Sequence, residues 1–78
     1  MIKREGDMIM TRMEEFINDV TNDAFLKAVE NQSGRITIPQ LDDIIREHPY
    51  YEQVSLDTIE DAVIEIEKIL ENNNRLLS

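Results

Sequence analysis

Few residues of this 78-residue chain have the chemistry needed for nucleophilic catalysis. The chain has one histidine, His48, and no cysteine. A histidine that acts as a general base needs a nucleophile and a residue that orients its ring. The three serines are Ser33, Ser55 and Ser78, of which Ser33 lies in a predicted turn and Ser55 at a predicted helix cap. We therefore predict that His48 is a residue at a helix end and has no catalytic role.

Adjacent carboxylates are the other candidates for chemistry. They occur as Glu14-Glu15, Asp42-Asp43 and Glu60-Asp61. Two-carboxylate hydrolysis and metal binding both need oxygens that converge in a cleft, whereas neighbours on a helix point about 100° apart. With only Gly6 and Gly34, the chain also lacks a glycine-rich phosphate loop. The sequence predicts no enzyme activity, no catalytic residue, no metal site and no cofactor.

The charge of the chain predicts which partners it can bind. Asp and Glu outnumber Lys and Arg by 17 to 8, for a formal net charge of −9. Nucleic-acid binding depends on basic side chains that displace counterions from phosphate, so direct binding is not expected. An acidic domain favours a basic protein surface, including that of a nucleic-acid-binding protein. The competing interpretation is that the charge serves only solubility.

Length and hydropathy predict a cytoplasmic protein that does not enter a membrane. No apolar run approaches the roughly 20 residues of a membrane span, and no signal-peptide core is present. A core this small gives modest stability, so a homodimer is one expectation. We predict a flexible segment at residues 1–10 and a single helical domain at residues 11–78, with the true start left open among Met1, Met8 and Met10.

The first helix is predicted to begin at Thr11, where Thr11 and Glu14 form a capping-box pattern. Its apolar residues change face midway. The helix is therefore either buried on both sides or broken near residues 21–23. We favour the break, because Thr, Asn and Asp compete locally for backbone hydrogen bonds.

The middle of the chain predicts a turn, an extended arm and a second helix. Residues 31–34 end in Gly34, which suits a positive φ angle. One short strand is predicted near Arg35 to Ile38, where polar and apolar residues alternate. Pro39 suits the first turn of the second helix and Pro49 ends that helix. Residues 50–54 are predicted to form a loop. The fold class is mostly α, a small bundle of three to four helices.

The last helix, residues 55–71, is capped by Ser55 and has apolar residues at alternating spacings of three and four. This predicted buried seam fits a coiled-coil pattern for only about two heptads. Ala62 and Ile69 widen the stripe, which favours packing within a globular bundle, and dimerisation through this helix stays open. The seam comprises Leu56, Ile59, Val63, Ile66 and Leu70.

The outer face of that helix is acidic and carries one isolated apolar residue, Ile64. An apolar anchor surrounded by charge can mark a small interface, and tyrosines are enriched at interfaces. Asp42, Asp43 and Glu47 are expected to extend the acidic field. The predicted partner-binding residues are Asp57, Glu60, Asp61, Ile64, Glu67, Glu71, Tyr50 and Tyr51.

The order of elements over about residues 24–77 resembles a winged-helix, or helix-turn-helix-like, domain. The resemblance rests on residues 35–41, which precede and begin the second helix, and on residues 54–71. It implies that the last helix presents its first turns to the DNA major groove. The residues there are Asp57, Glu60 and Asp61, whereas base readout uses mainly Arg, Lys, Asn or Gln. The face implied to read DNA therefore has the wrong charge.

A second resemblance, to a calcium-binding EF-hand, is disfavoured. Aligning Gly34 with the turn glycine of the calcium loop puts Val29 at the first ligand position. Asn31, Ser33 and Gln40 then take other ligand positions. The motif requires carboxylates at its first and last positions, and both are missing.

Together these patterns predict a small acidic protein-binding module. Its most specific version is an inhibitor or adaptor that mimics DNA and occupies the basic, nucleic-acid-binding surface of its partner. By analogy of composition, such a short, cysteine-free acidic chain suits a phage or mobile-element protein that disarms host machinery, and a phage-encoded protein would act in the host cytoplasm. The alternatives are a winged-helix-like transcriptional regulator that dimerises through its last helix, or a structural subunit. The regulator would reach DNA through its few arginines, Arg12, Arg35, Arg46 and Arg75.

Overall fold

The computed structural model describes residues 11–77 and confirms a mostly α fold with three helices and one short two-stranded sheet. The flexible segment predicted at residues 1–10, the choice among the three start methionines, and Ser78 lie outside the described residues. In chain order the elements are α1 (Arg12–Glu30), β1 (Ile36–Thr37), α2 (Ile38–Glu47), a 3₁₀ helix (Pro49–Glu52), α3 (Leu56–Asn72) and β2 (Leu76–Leu77).

Helix α1 begins at the predicted capping box. The Thr11 hydroxyl accepts from the Glu14 N–H at 3.1 Å, and the Glu14 carboxylate accepts from the Thr11 N–H at 2.9 Å. The break favoured near residues 21–23 is wrong, since α1 continues without interruption to Glu30. Packing prevails over local competition there, because a stripe with four-residue spacing is fully buried on both sides of the expected break. The stripe comprises Phe16, Val20, Ala24 and Ala28.

The turn between α1 and β1 is closed by its own side chains. Gly34 has φ +72°, the predicted left-handed conformation. The Asn31 amide donates to the Arg35 carbonyl at 2.7 Å and to Gln40 Oε1 at 2.8 Å. Thr37 and Gln40 then form a second capping box, and Pro39 lies in the first turn of α2 as predicted.

Helix α3 begins after Ser55, whose hydroxyl accepts from the Thr58 N–H at 3.4 Å. The helix ends at Asn72, one residue beyond the predicted end. Leu76 and Leu77, for which no strand was predicted, form β2, which pairs in parallel with β1. In this register Ile36 lies opposite Leu76, and both side chains are buried. The pairing ties the end of the described chain to the turn before α2.

The core lies between α1 and α3 and is closed by α2 and the small sheet. Helix α3 contributes Ile59, Ala62, Ile66 and Leu70, all buried. The predicted seam was wrong at Leu56, which is 62% exposed, whereas Val63 is half-buried and packs against the core. Ala62 belongs to the buried stripe, which rotates the buried direction of α3 away from Leu56. No helix within residues 11–77 is long and apolar enough to cross a membrane.

Candidate functional site

The outer side of α3 carries a row of carboxylates, which we call the acidic face. Within residues 11–77, no basic side chain lies within salt-bridge distance of any of them. Lys68 is the only basic residue of α3. Lys68 is exposed on the same side of the helix, so the five carboxylates outnumber one positive charge there and their combined field is negative. The acidic face comprises Asp57, Glu60, Asp61, Glu67 and Glu71, all exposed except the half-buried Glu67.

An open groove of about 430 Å³ lies beside the acidic face, between α2, α3 and the 3₁₀ helix. We call it the α2–α3 groove. It brings together apolar side chains from all three elements with one carboxylate from each of the two helices. Its lining residues are Asp42, Ile45, Tyr51, Leu56, Ile59, Glu60, Val63 and Ile64.

The structure separates the two tyrosines that were predicted as partner contacts. Tyr51 is half-buried and lines the α2–α3 groove. Tyr50 is only 8% exposed, and its ring centroid lies 4.9 Å from that of Phe16. Tyr50 is therefore a core residue, and we do not carry it forward as a partner contact.

The apolar residues of α3 that were singled out in the sequence also differ in position. Ile64 is 54% exposed, as its place on the helical wheel predicted, and it borders the α2–α3 groove. Leu56 was expected in the core but borders the same groove. Ala62, which was expected to widen the stripe, is fully buried, and the buried direction of α3 therefore lies away from Leu56. The sequence reasoning also left out Ile45 as a residue beside the acidic face.

The acidic residues of α2 line two different grooves. Asp42 lines the α2–α3 groove and pairs with Arg46 at 2.9 Å. Asp43 and Glu47 instead line a second groove of about 650 Å³, between α1 and α2. Asp42 is the one of these three residues that lies beside the acidic face at the α2–α3 groove. The second groove also includes Leu26, a residue exposed on α1.

Both ring nitrogens of His48 make contacts that hold the fold together. Nδ1 accepts from the Tyr50 N–H at 3.1 Å, and Nε2 lies 3.0 Å from Asp19 Oδ2. The ring packs edge-on against Phe16, with 5.0 Å between centroids and an interplanar angle of 80°. This geometry agrees with the prediction that His48 is a helix-end residue, because it ends α2 and caps the 3₁₀ helix.

The turn that resembles a calcium loop uses its polar side chains internally. Asn31 and Gln40 hydrogen-bond to each other, and Ser33 bonds to the backbone of Arg35. Across the part of the chain that the structure describes, no group of three or more His, Asp or Glu side chains is placed to hold a metal ion.

Of the four arginines on which a DNA-binding alternative would depend, Arg35 and Arg75 lie next to each other, directly before β1 and β2, and the other two lie on α1 and α2. Arg12 of α1 donates to Gln53 at 2.9 Å, and Arg46 of α2 pairs with Asp42. Arg75, between α3 and β2, donates to the Gly34 carbonyl at 3.1 Å. These three side chains therefore stabilise local structure at three different places.

Comparison with family models finds no match, and comparisons with curated proteins and with solved structures find none either. The function is therefore inferred from the surface of the chain itself.

Proposed function

We propose that this chain is a small protein-binding module whose acidic face binds a basic, nucleic-acid-binding surface of another protein. The observation that carries the proposal is the row of five carboxylates on the outer side of α3, from Asp57 to Glu71, with Lys68 as the one basic residue of that helix. Acidic residues also lie on α1 and α2, so negative charge by itself would serve solubility. The acidic row of α3 differs in lying next to exposed Leu56 and Ile64, and this combination favours a surface built for a partner.

The spacing of these carboxylates supports a mimic of nucleic acid. Asp57 and Glu71 are separated by about 21 Å along the helix axis, at about 1.5 Å per residue. A single DNA strand carries one charge per about 3.4 Å, or about six charges over the same length. The five carboxylates of the acidic face and Lys68 together give a net charge of −4 over that length, about two-thirds of the charge of one strand. A protein groove that accepts one strand of a duplex would meet a comparable row of charge on α3.

Binding of this kind would inhibit or redirect the partner by exclusion. Nucleic acid and the acidic face would compete for the same Lys and Arg side chains. Complementary charge also speeds encounter between the two proteins, and salt weakens that steering. The proposal covers an inhibitor or an adaptor, phage-encoded in its most specific form, that acts in the host cytoplasm.

Competition with DNA tests the proposal. The wild-type chain is immobilised and exposed to a nuclease-treated lysate of the native host, and bound protein is eluted with duplex DNA of about 30 base pairs. We expect a basic protein that duplex DNA releases and that 1 M salt also releases, where the Debye length is about 3 Å. Retention of proteins that neither DNA nor salt displaces would contradict the proposal.

A gel shift at low salt tests the alternative of a transcriptional regulator. The labelled duplex DNA is mixed with the chain alone. Because the acidic face repels phosphate, we expect no shift. A retarded band that disappears when excess unlabelled duplex is added would favour the transcriptional regulator. It would contradict the proposal that the chain is a protein-binding module.

A further inference from the structure

We infer that the α2–α3 groove is the anchor site for a basic amphipathic helix of the partner, whose apolar stripe enters the groove while its Lys and Arg residues meet the carboxylates beside it. This inference rests on the proposed function and adds the kind of partner segment that the surface accepts.

The floor of the groove is already part of the core. Ile45 and Ile59 are buried beneath it, and Val63 is half-buried. Leu56 and Ile64 stand exposed at its border, together with Tyr51 from the 3₁₀ helix. Apolar side chains that border an apolar floor leave a continuous surface that an apolar partner residue can cover. A single exposed leucine is common on a protein surface and needs no explanation. The apolar residues of this groove, in contrast, come from α2, α3 and the 3₁₀ helix.

The dimensions of the groove favour a few side chains over a whole helix. A volume of about 430 Å³ accepts the anchors that a helix presents at positions i, i+3 or i+4 and i+7. The backbone of that helix would lie above the groove. Its remaining faces would then be free to carry charge.

The charges beside the groove select the chemistry of the occupant. Asp42 lines the groove from α2 and Glu60 lines it from α3, so negative charge lies on both helices. Asp42 has Arg46 as a neighbour, whereas the acidic face beyond Glu60 has no basic partner within residues 11–77. Lys or Arg residues next to the apolar stripe of an incoming helix would meet Glu60 and the acidic face on the α3 side, and the Asp42 carboxylate with its partner Arg46 on the α2 side.

The same charges argue against a second copy of this chain as the occupant. A symmetric dimer places the same patch of each copy against the other. Such a dimer would bring Asp57, Glu60 and Asp61 of one copy towards the same residues of the other. Like charges at close range oppose that arrangement, so a basic partner is the better fit.

Three labelled peptides of about 18 residues, or five helical turns, test the inference by fluorescence anisotropy at low salt. The first places Leu at i, i+3, i+4 and i+7 with Lys elsewhere. The second has the same composition in scrambled order, and the third replaces every Lys by Glu. We expect the first to bind at least about tenfold more tightly than the second, and the third not to bind.

Two substitutions at the border of the groove test whether the peptide binds there. Ile64→Ser and Leu56→Ser are expected to weaken the amphipathic peptide about tenfold and to leave the scrambled peptide unchanged, because only the first uses the groove. Leu26→Ser, on α1, is the matched control and should change neither. All three residues are exposed, so circular dichroism should show that each variant stays folded.

The outcomes separate this inference from the proposed function. Equal binding of the amphipathic and scrambled peptides would overturn the groove as an anchor and leave the acidic face intact. Failure of both Lys peptides to bind would contradict the acidic face itself. Binding of the Glu peptide would show that charge does not select the occupant. A homodimer that Ile64→Ser dissociates in analytical ultracentrifugation would assign the groove to a second copy and overturn the inference.

Discussion

The imidazole of His48 lies 3.0 Å from the carboxylate of Asp19 and thereby joins the end of α2 to the middle of α1. The other ring nitrogen accepts from the Tyr50 N–H, so each nitrogen has a partner in the fold. The only histidine of the chain is therefore held as a connector between elements. Its position also orders the 3₁₀ helix that carries Tyr51 to the α2–α3 groove.

Replacing His48 should destabilise the fold. His48→Ala removes a cap that contributes about 0.5–2 kcal/mol and an edge-on aromatic contact worth about 0.5–1.5 kcal/mol. We expect a loss of about 2 kcal/mol in the free energy of unfolding, measured by urea denaturation. Asp19→Asn is the control, because its amide oxygen can still accept from Nε2–H, and it should cost under about 0.5 kcal/mol. Equal losses in the two variants would contradict this role for His48.

Gly34 should be replaceable only at a conformational cost. Its φ of +72° lies in the left-handed region, where an alanine costs roughly 1 kcal/mol or more. A Cβ there would lie 3.6 Å from Arg75 Nη1, an ordinary contact, so the cost comes from the backbone. Gly34→Ala should lower the free energy of unfolding by about 1 kcal/mol, and Gly34→Asn by less, since Asn tolerates this region. If Gly34→Ala unfolds at the same temperature as wild type, the positive φ at this position carries no cost for alanine.

Thr21 offers a stabilising substitution. Its side chain is 7% exposed, and its hydroxyl has no hydrogen-bond partner among the described residues. A buried hydroxyl without a partner is unfavourable, whereas a methyl group of similar shape is not. Thr21→Val should raise the free energy of unfolding by up to about 1 kcal/mol in urea denaturation. Thr21→Ser keeps the hydroxyl and loses the methyl, and it should destabilise. A destabilised Thr21→Val variant would indicate that the hydroxyl is in fact paired.

Local signals in the sequence predicted most of the element boundaries. Thr11, Ser55 and Pro39 act within one helical turn, and their capping and φ preferences need no information from distant residues. The positive φ of Gly34 follows from the same kind of local rule. For that reason the starts of α1, α2 and α3 were predicted closely.

The predictions that were wrong concern structural features that depend on contacts between residues far apart in the chain. The continuity of α1 through Thr21 depends on packing against α3, which prevails over local preference. The pairing of β2 with β1 joins residues about forty apart along the chain. At the candidate site, the acidic face and the exposure of Ile64 followed from helical periodicity. The exposure of Leu56 and the burial of Tyr50 did not, because both depend on where α2 and the 3₁₀ helix lie.

Two isoleucines of α3, two positions apart, should differ sharply in their contribution to stability. Ile66 is fully buried and Ile64 is exposed. Ile66→Ala should cost about 2–5 kcal/mol, a large part of the stability of a small domain. Ile64→Ala should change the free energy of unfolding by less than about 0.5 kcal/mol. Thermal denaturation followed by circular dichroism measures both, and similar losses would contradict the orientation of α3.

Charge reversal on α3 is the most direct test of the acidic face as a binding surface. The affinity of the basic protein released by DNA is measured by calorimetry for wild type, Glu60→Lys/Asp61→Lys and Glu15→Lys/Asp23→Lys. The two variants have the same net charge, but the second changes only α1. We expect the α3 variant to bind at least about tenfold more weakly, or about 1.4 kcal/mol, and the α1 variant to stay within about threefold of wild type. Equal weakening by both variants, or unchanged affinity of the α3 variant, would contradict the proposed function.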